Sequence, residues 1–332
     1  YEMAKMYKNY SFMKPEMTDH LARAAHEGRR FHSQALRQRD WDTAAFHLQQ
    51  VVEIQRRIME ARAKAFDLSS PYEAALDTFS PGFSLEEIES WFAFLANELK
   101  ALWPEVEEKQ AAEPAPLPLK GPFPAKQQMW MNRELLKLIG FDFKRGGLYE
   151  TGHNPVEGGT PDDTRLVIKN VDEADFMDSM KSALHEGGHG IYIQGLPRTR
   201  WRYQPVAQDL GATIHESQAL LIEMVISRTP GFFDYLAPRL EGLFRNMSDP
   251  SLSSENLHKL KIRLSPSADR KKSDEITYFF HILLRFRLEK DLMEGRIRAH
   301  DLPEIWAEQM HDLLGITPEK VEDGPLQDVH WF

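Results

Sequence analysis

The 332 residues contain no cysteine. No disulfide can hold the fold, and a metal site must be built from histidines and carboxylates. The same lack suits a reducing compartment, so a cytoplasmic location is expected. Long apolar runs are missing too. No stretch approaches ~18 uninterrupted apolar residues, and no membrane span is expected. The opening YEMAKMYKNY has no apolar h-region, so no signal peptide is expected. Positive charge is in deficit: 41 Lys and Arg stand against 51 Asp and Glu, a net charge of −10. An acidic chain is a poor match for nucleic acid or an anionic membrane, and neither is expected as a partner. No internal repeat is found.

What is present is enough apolar sequence, 42%, for a sizeable core. Residues 18–66 read as helix, broken near RDWDT at 39–43. Ser70-Pro71 with Glu73 reads as a helix start, and so does SLEE at 84–87. The second of these opens a helix running towards Pro104. Five prolines in residues 111–125 exclude helix or central strand there. We read them as a rigid surface connection within a single domain, because the composition on both sides is alike. TRLVIK, residues 164–169, is the best strand candidate. Helices are expected at 174–194, 213–228, 254–264 and 273–295, with TPG at 229–231 ending the second. The fold class is mainly α with a small β element.

Residues 185–189 read HEGGH. On a helix, positions i and i+4 share a face, so His185 and His189 can aim ring nitrogens at one ion. Glu186 projects from an adjacent part of the turn and can reach a water beside that ion without being a ligand. This is the H-E-x-x-H arrangement of zinc peptidases. Each glycine costs up to about 1 kcal/mol inside a helix relative to alanine. A plain surface helix gains nothing from two of them, whereas a helix approached closely by another backbone does. A catalytic zinc needs a third protein ligand and an open position. TIHESQ at 213–218 offers Glu216 or His215. Thr213-x-x-Glu216 is also a capping box, and spacing alone does not choose among these.

Several ordered stretches resemble one family. HEGGHGIYIQGLP, HESQ at 215–218, the long helical stretch 263–295 and GPLQDVHW at 324–331 resemble the motifs of the carboxypeptidase Taq, or M32, family of thermostable-type metallocarboxypeptidases. The family's HPF appears here as His153-Asn154-Pro155. Its DxRxT appears as Asp163-Thr164-Arg165-Leu166-Val167. Its IRxxAD appears as Asp269-Arg270-Lys271-Lys272-Ser273-Asp274. Family members run longer, so the chain is expected to be truncated at both ends relative to them.

The resemblance implies a helical zincin (gluzincin) fold with a neurolysin-like groove, and an activity that releases C-terminal amino acids from peptides. It implies Glu216 as the third metal ligand beside His185 and His189. Zn²⁺ is the expected ion, and Co²⁺ or Mn²⁺ suits the same donors. Glu186 would activate the water in the fourth position. Arg270 is the first candidate to bind the substrate's terminal carboxylate, because a guanidinium fork pairs with both oxygens. Its alternative is a surface basic cluster. His153 is expected near the substrate or in a plain loop. Asp163 and Arg165 are expected as outer partners of the metal ligands or as a structural pair. Gln327 and His330 lie in a matched motif without an assigned role. The basic, aromatic stretch 197–205 reads as a cleft-rim or surface loop. The partner is a peptide substrate, with a homodimer as the family's expectation. The competing readings are a zinc oligopeptidase or endopeptidase with no carboxylate requirement, and a metal-binding but catalytically silent truncated homologue.

Overall fold

A computed structural model describes residues 2–151, 156–169, 171–244 and 249–331. In chain order the helices are α1 (Glu2–Ser11), α2 (Pro15–Gln38), α3 (Trp41–Phe66), α4 (Pro71–Phe79), α5 (Leu85–Ala112) and α6 (Ala125–Leu138). Strands β1 (Gly146–Thr151), β2 (Val156–Thr160) and β3 (Asp163–Lys169) come next. Then follow α7 (Phe176–Gly195), α8 (Ala212–Leu220), α9 (Pro230–Phe244), α10 (Ser254–Lys261), α11 (Glu275–Glu294) and α12 (Leu302–Leu314). The chain divides into two compact units, Tyr1–Lys109 with Leu264–Phe332, and Gln110–Arg263. The first boundary falls inside α5, just ahead of the proline-rich stretch.

In the first unit the local signals act as their chemistry requires. Arg39 in the left-handed conformation closes α2, and the Asp40 side chain accepts from Thr43 N–H to open α3. Ser70 caps α4 by accepting from Glu73 N–H, and the Ser84 hydroxyl accepts from Glu87 N–H at the start of α5. The core of this unit gathers Leu48 and Val52 of α3, Phe280, Leu284 and Leu288 of α11, and Trp306 and Met310 of α12. Each fully buried side chain of this size contributes ~1.5–3 kcal/mol. The expected stop near Pro104 does not occur, since α5 continues to Ala112 with Pro104 inside it. Trp103 and Val106, on either side of the proline, both pack against the core, and that packing offsets the ~3 kcal/mol cost of an interior proline.

In the second unit the sheet order is β1-β3-β2, with β1 parallel and β2 antiparallel to β3. Leu166 and Ile168 of β3 point inward with no exposure while Arg165 and Lys169 point out, the period of two that a half-buried strand demands. Helix α7 starts where Asp175 accepts from Met177 N–H. Phe176, Met180, Ala183, Leu184 and Gly187 recur at helical spacing along its buried side. Phe123 meets Phe176 and Phe244 edge to face at centroid distances of 5.0 and 4.9 Å, and Phe176 tilts against Phe244 at 5.6 Å. This packing fixes both the height and the rotation of α7, and so the direction of its histidines.

Candidate metal centre

The glycines of HEGGH are contact points. A methyl on Gly188 would lie 2.5 Å from both Ala219 Cα and Gln218 O of α8. A methyl on Gly187 would lie 2.3 Å from Leu136 Cδ2 of α6. A methyl on Gly190 would lie 2.8 Å from Phe141 Cε2 and 2.9 Å from Leu166 Cδ2. Missing side chains thus let α8 lie directly on α7. Helix α8 begins after Gly211, so Thr213 sits inside it and makes no capping box with Glu216. Glu216 instead turns to α7.

The result is a convergence of three donors. Glu216 Oε2 lies 3.3 Å from His189 Nε2, and Glu216 Oε1 lies 3.8 Å from His185 Nε2. Donor atoms of His185, His189 and Glu216 all fall within 4.8 Å of one another. Both histidines have their other nitrogen engaged. His185 Nδ1 is 2.7 Å from Glu223 Oε2. His189 Nδ1 is 3.1 Å from the His215 carbonyl and 2.7 Å from His215 Nδ1. Donation from each Nδ1–H leaves each Nε2 bare and aimed at Glu216, which is the tautomer a metal ligand requires. The donor set, two imidazoles and one carboxylate, suits a divalent ion with an open position. A second close group, Glu157 with His189 and His215, shares His189, whose Nδ1 is already spent on His215.

Glu223 was not foreseen. It sits in a π-helical turn, residues 221–225, that continues α8, and it is buried. Lys181 Nζ lies 3.5 Å from its other oxygen. Burial pushes the Glu223 carboxyl up, but the His185 hydrogen bond and the charges of Lys181, His185 and Lys261 outweigh it, and its pKa falls to about 2. Burial would lower His185, yet the Glu223 hydrogen bond and the charges of Glu223, Glu216 and Glu186 raise it net. Seen from sequence, Glu223 was one acid in an apolar run, ALLIEMVIS. An acid inside an apolar helical face was the available signal.

Glu186 is buried beside the histidines, and its Oε2 has no hydrogen-bond partner among the described residues. Burial raises its carboxyl to about 7, with His185 and His189 opposing the rise and Glu157 of β2 adding to it. A carboxyl poised there exchanges a proton readily near neutral pH.

Asp163 and Arg165 pair with each other at 2.9 Å on β3, both exposed. The carboxylate that meets His185 Nδ1 is Glu223. His153 lies outside the described residues. Arg270 belongs to the unit that holds α11 and α12. In the 197–205 stretch, Arg202 and Arg198 pair with Asp162, and Trp201 and Tyr203 are exposed.

Comparison with known proteins agrees with these motifs. The sequence pattern of the Carboxypeptidase Taq (M32) metallopeptidase family matches residues 1–332. Thermostable carboxypeptidase 1 of Thermus thermophilus is 32% identical over 339 residues, covering 99% of this chain and 65% of that relative. Carboxypeptidase 1 of Bacillus subtilis is 30% identical over 294 residues, covering 88% of this chain and 57% of its own length. Among solved structures, Trypanosoma cruzi metallocarboxypeptidase 1 superposes with a TM-score of 0.92 at 31% identity, over 99% of this chain and 65% of its own. The chain therefore spans somewhat under two thirds of the length of these relatives. A fold, a set of ordered motifs and a whole-chain match all point the same way: this chain belongs to the carboxypeptidase Taq (M32) family of metallopeptidases.

Proposed function

We propose that the chain is a zinc-dependent metallocarboxypeptidase that removes C-terminal residues from peptides. The observation that carries this reading is the convergence of His185 Nε2, His189 Nε2 and Glu216 beside a buried Glu186. His185, His189 and Glu216 would hold the ion, and zinc suits two imidazoles and a carboxylate. When bound, the ion supplies Lewis acidity to the scissile carbonyl and to the attacking water. Glu186 takes the water's proton and delivers it to the leaving amine. Its burial keeps the carboxyl basic enough to do the first and acidic enough, once protonated, to do the second. Glu223 and the His215 carbonyl hold the two imidazoles in the ligating tautomer. Arg270 would take the substrate's terminal carboxylate in its fork. The absence of cysteine suits a cytoplasmic setting, and a homodimer is the family-based expectation.

The test pairs a peptide carrying a free C-terminus with its amidated twin, on the chain and on Glu186→Gln, with zinc content measured for both proteins. The expected outcome is one zinc on each, release of C-terminal residues only by the unmutated chain, and only from the free peptide. Glu186→Gln should lose at least about 10²-fold in kcat, the lower end of general-base contributions. Equal cleavage of both peptides would make the chain an endopeptidase. Zinc binding with no cleavage would make it silent.

A further inference from the structure

Gln327 and Asp328, part of the GPLQDVHW stretch that had no assigned role, lie in the same unit as Arg270. Gln327 uses both ends of its amide on the Arg270 segment. Its Nε2 donates to the Ala268 carbonyl at 3.1 Å, and its Oε1 accepts from Arg270 N–H at 3.3 Å. The backbone is therefore gripped on both sides of Asp269. The amide is itself fixed: Nε2 also donates to the Asp323 carbonyl at 2.8 Å, and Oε1 also accepts from Arg285 Nη2 at 3.0 Å. One residue further back, His281 Nε2 holds the Ser267 carbonyl at 2.9 Å.

The guanidinium at the end of this held backbone is in a different state. Arg270 Nη1 makes one long contact, 3.4 Å, with the Tyr278 hydroxyl. Nη2 stands 3.9 Å from Asp328 Oδ1, beyond hydrogen-bond reach. Nε is buried with no hydrogen-bond partner among the described residues. Asp328 turns to the buried Arg285, which takes its other oxygen at short range, and at 3.9 Å its Oδ1 gives Arg270 charge attraction without a hydrogen bond. An arginine held only for structure would pair its fork with the acid next to it. Here the nearby acid is matched to a different arginine.

From this contrast, a rigid backbone and an unspent fork, we infer that Gln327 is a positioning residue that presets Arg270 for a carboxylate ligand. Arg285 and Asp328 brace Gln327 and leave the Arg270 guanidinium with no hydrogen-bonded carboxylate among the described residues. The inference rests on the proposed role of Arg270 as receptor of the substrate's C-terminus. A preset fork loses less freedom on binding than a mobile one, and a displacement of the order of 1 Å in a binding group is costly.

The experiment uses binding, not turnover. In the Glu186→Gln background, a fluorescent tripeptide with a free C-terminus and its amidated twin are titrated by anisotropy. The proteins are the background itself, Arg270→Gln, Gln327→Ala and the double variant. Gln327→Met, which keeps length and volume but removes both polar atoms, replaces Gln327→Ala if the latter fails to fold. The expected result is a preference for the acid over the amide that Arg270→Gln abolishes. The Gln327 variant should weaken acid binding on the order of tenfold, leave amide binding unchanged, and add nothing to Arg270→Gln. If the Gln327 variant keeps the full preference, or weakens acid and amide alike, the positioning role is overturned while the receptor reading stands. If the background shows no preference, or Arg270→Gln retains it, the receptor reading itself fails and takes the inference with it.

Discussion

Glu223 carries no motif, yet it decides what His185 can do. Its Oε2 lies 2.7 Å from His185 Nδ1 while Lys181 lies 3.5 Å from its Oε1. The lysine keeps the carboxylate charged, and the charged carboxylate keeps the proton on Nδ1. Nε2 is then the lone-pair nitrogen facing Glu216. Glu223→Gln retains an oxygen at that place but loses the charge that faces His185 and Lys181. We expect zinc affinity to fall about 10–100-fold, the usual cost of losing such an outer partner, with secondary structure unchanged. Competition against a chelating dye measures this directly. An affinity within about twofold of the unmutated chain would mean that the His215 carbonyl and helix packing suffice to orient the pair. Asp163, the acid that the family resemblance offered for this duty or for a structural pair with Arg165, is engaged with Arg165 on an exposed strand face. The sequence could not separate the two acids, because the choice depends on burial and on a π turn, neither of which leaves a periodic trace.

Among the elements, the apposition of α7 and α8 matters most, and it runs through one missing methyl. Any Cβ at position 188 meets Ala219 Cα and Gln218 O at 2.5 Å, and backbone does not yield as a side chain tip does. Gly188→Ala must therefore push α8 outward. We expect a loss of about 1–3 kcal/mol in stability, typical of overpacking, together with weaker zinc binding, since Glu216 lies one turn before Ala219 on the displaced helix. Gly195→Ala is the control. Among the described residues nothing lies within 4 Å of a methyl there, and removing a helical glycine stabilises by up to about 1 kcal/mol. Thermal melts and zinc titrations on both variants decide the matter, and equal behaviour of the two would refute the close-contact argument. Helix α7 itself was legible: expected at 174–194, it spans Phe176–Gly195, because capping, periodicity and HEGGH agree. Strand β3 was legible for the same reason, with its branched residues at period two. The run 213–228 was not. It was read as one helix and is instead α8, a π turn and a 3₁₀ turn. Apolar spacing barely distinguishes an i→i+4 hydrogen-bond ladder from an i→i+5 one over so short a span. Strands β1 and β2, GGLYET and VEGGT, have little intrinsic strand character and owe their state to pairing with β3.

At the scale of the whole molecule, the unit without the proposed ligands has its own buried titratable group. His281 on α11 has no exposure. Burial lowers its pKa, the nearby Arg285 lowers it further, and the bond to the Ser267 carbonyl only partly opposes them, leaving it at about 4. The unfolded chain takes up a proton at His281 as pH falls below about 6.5. The folded chain refuses it until about 4. The stabilisation from a neutral His281 is therefore complete above about 6.5 and is lost progressively as pH falls from there to about 4. The gap corresponds to about 3 kcal/mol at most. His281→Gln places an amide nitrogen near the position of Nε2, preserves the donor to Ser267, and cannot titrate. Denaturant midpoints taken between pH 7 and pH 4.5 should fall more steeply for the unmutated chain than for His281→Gln, and the difference between the two curves should carry the slope. Comparing the two proteins cancels every carboxylate common to both. Parallel curves would mean that His281 is protonated as easily in the folded chain as in the unfolded one, and that Arg285 spends its charge entirely on Asp328.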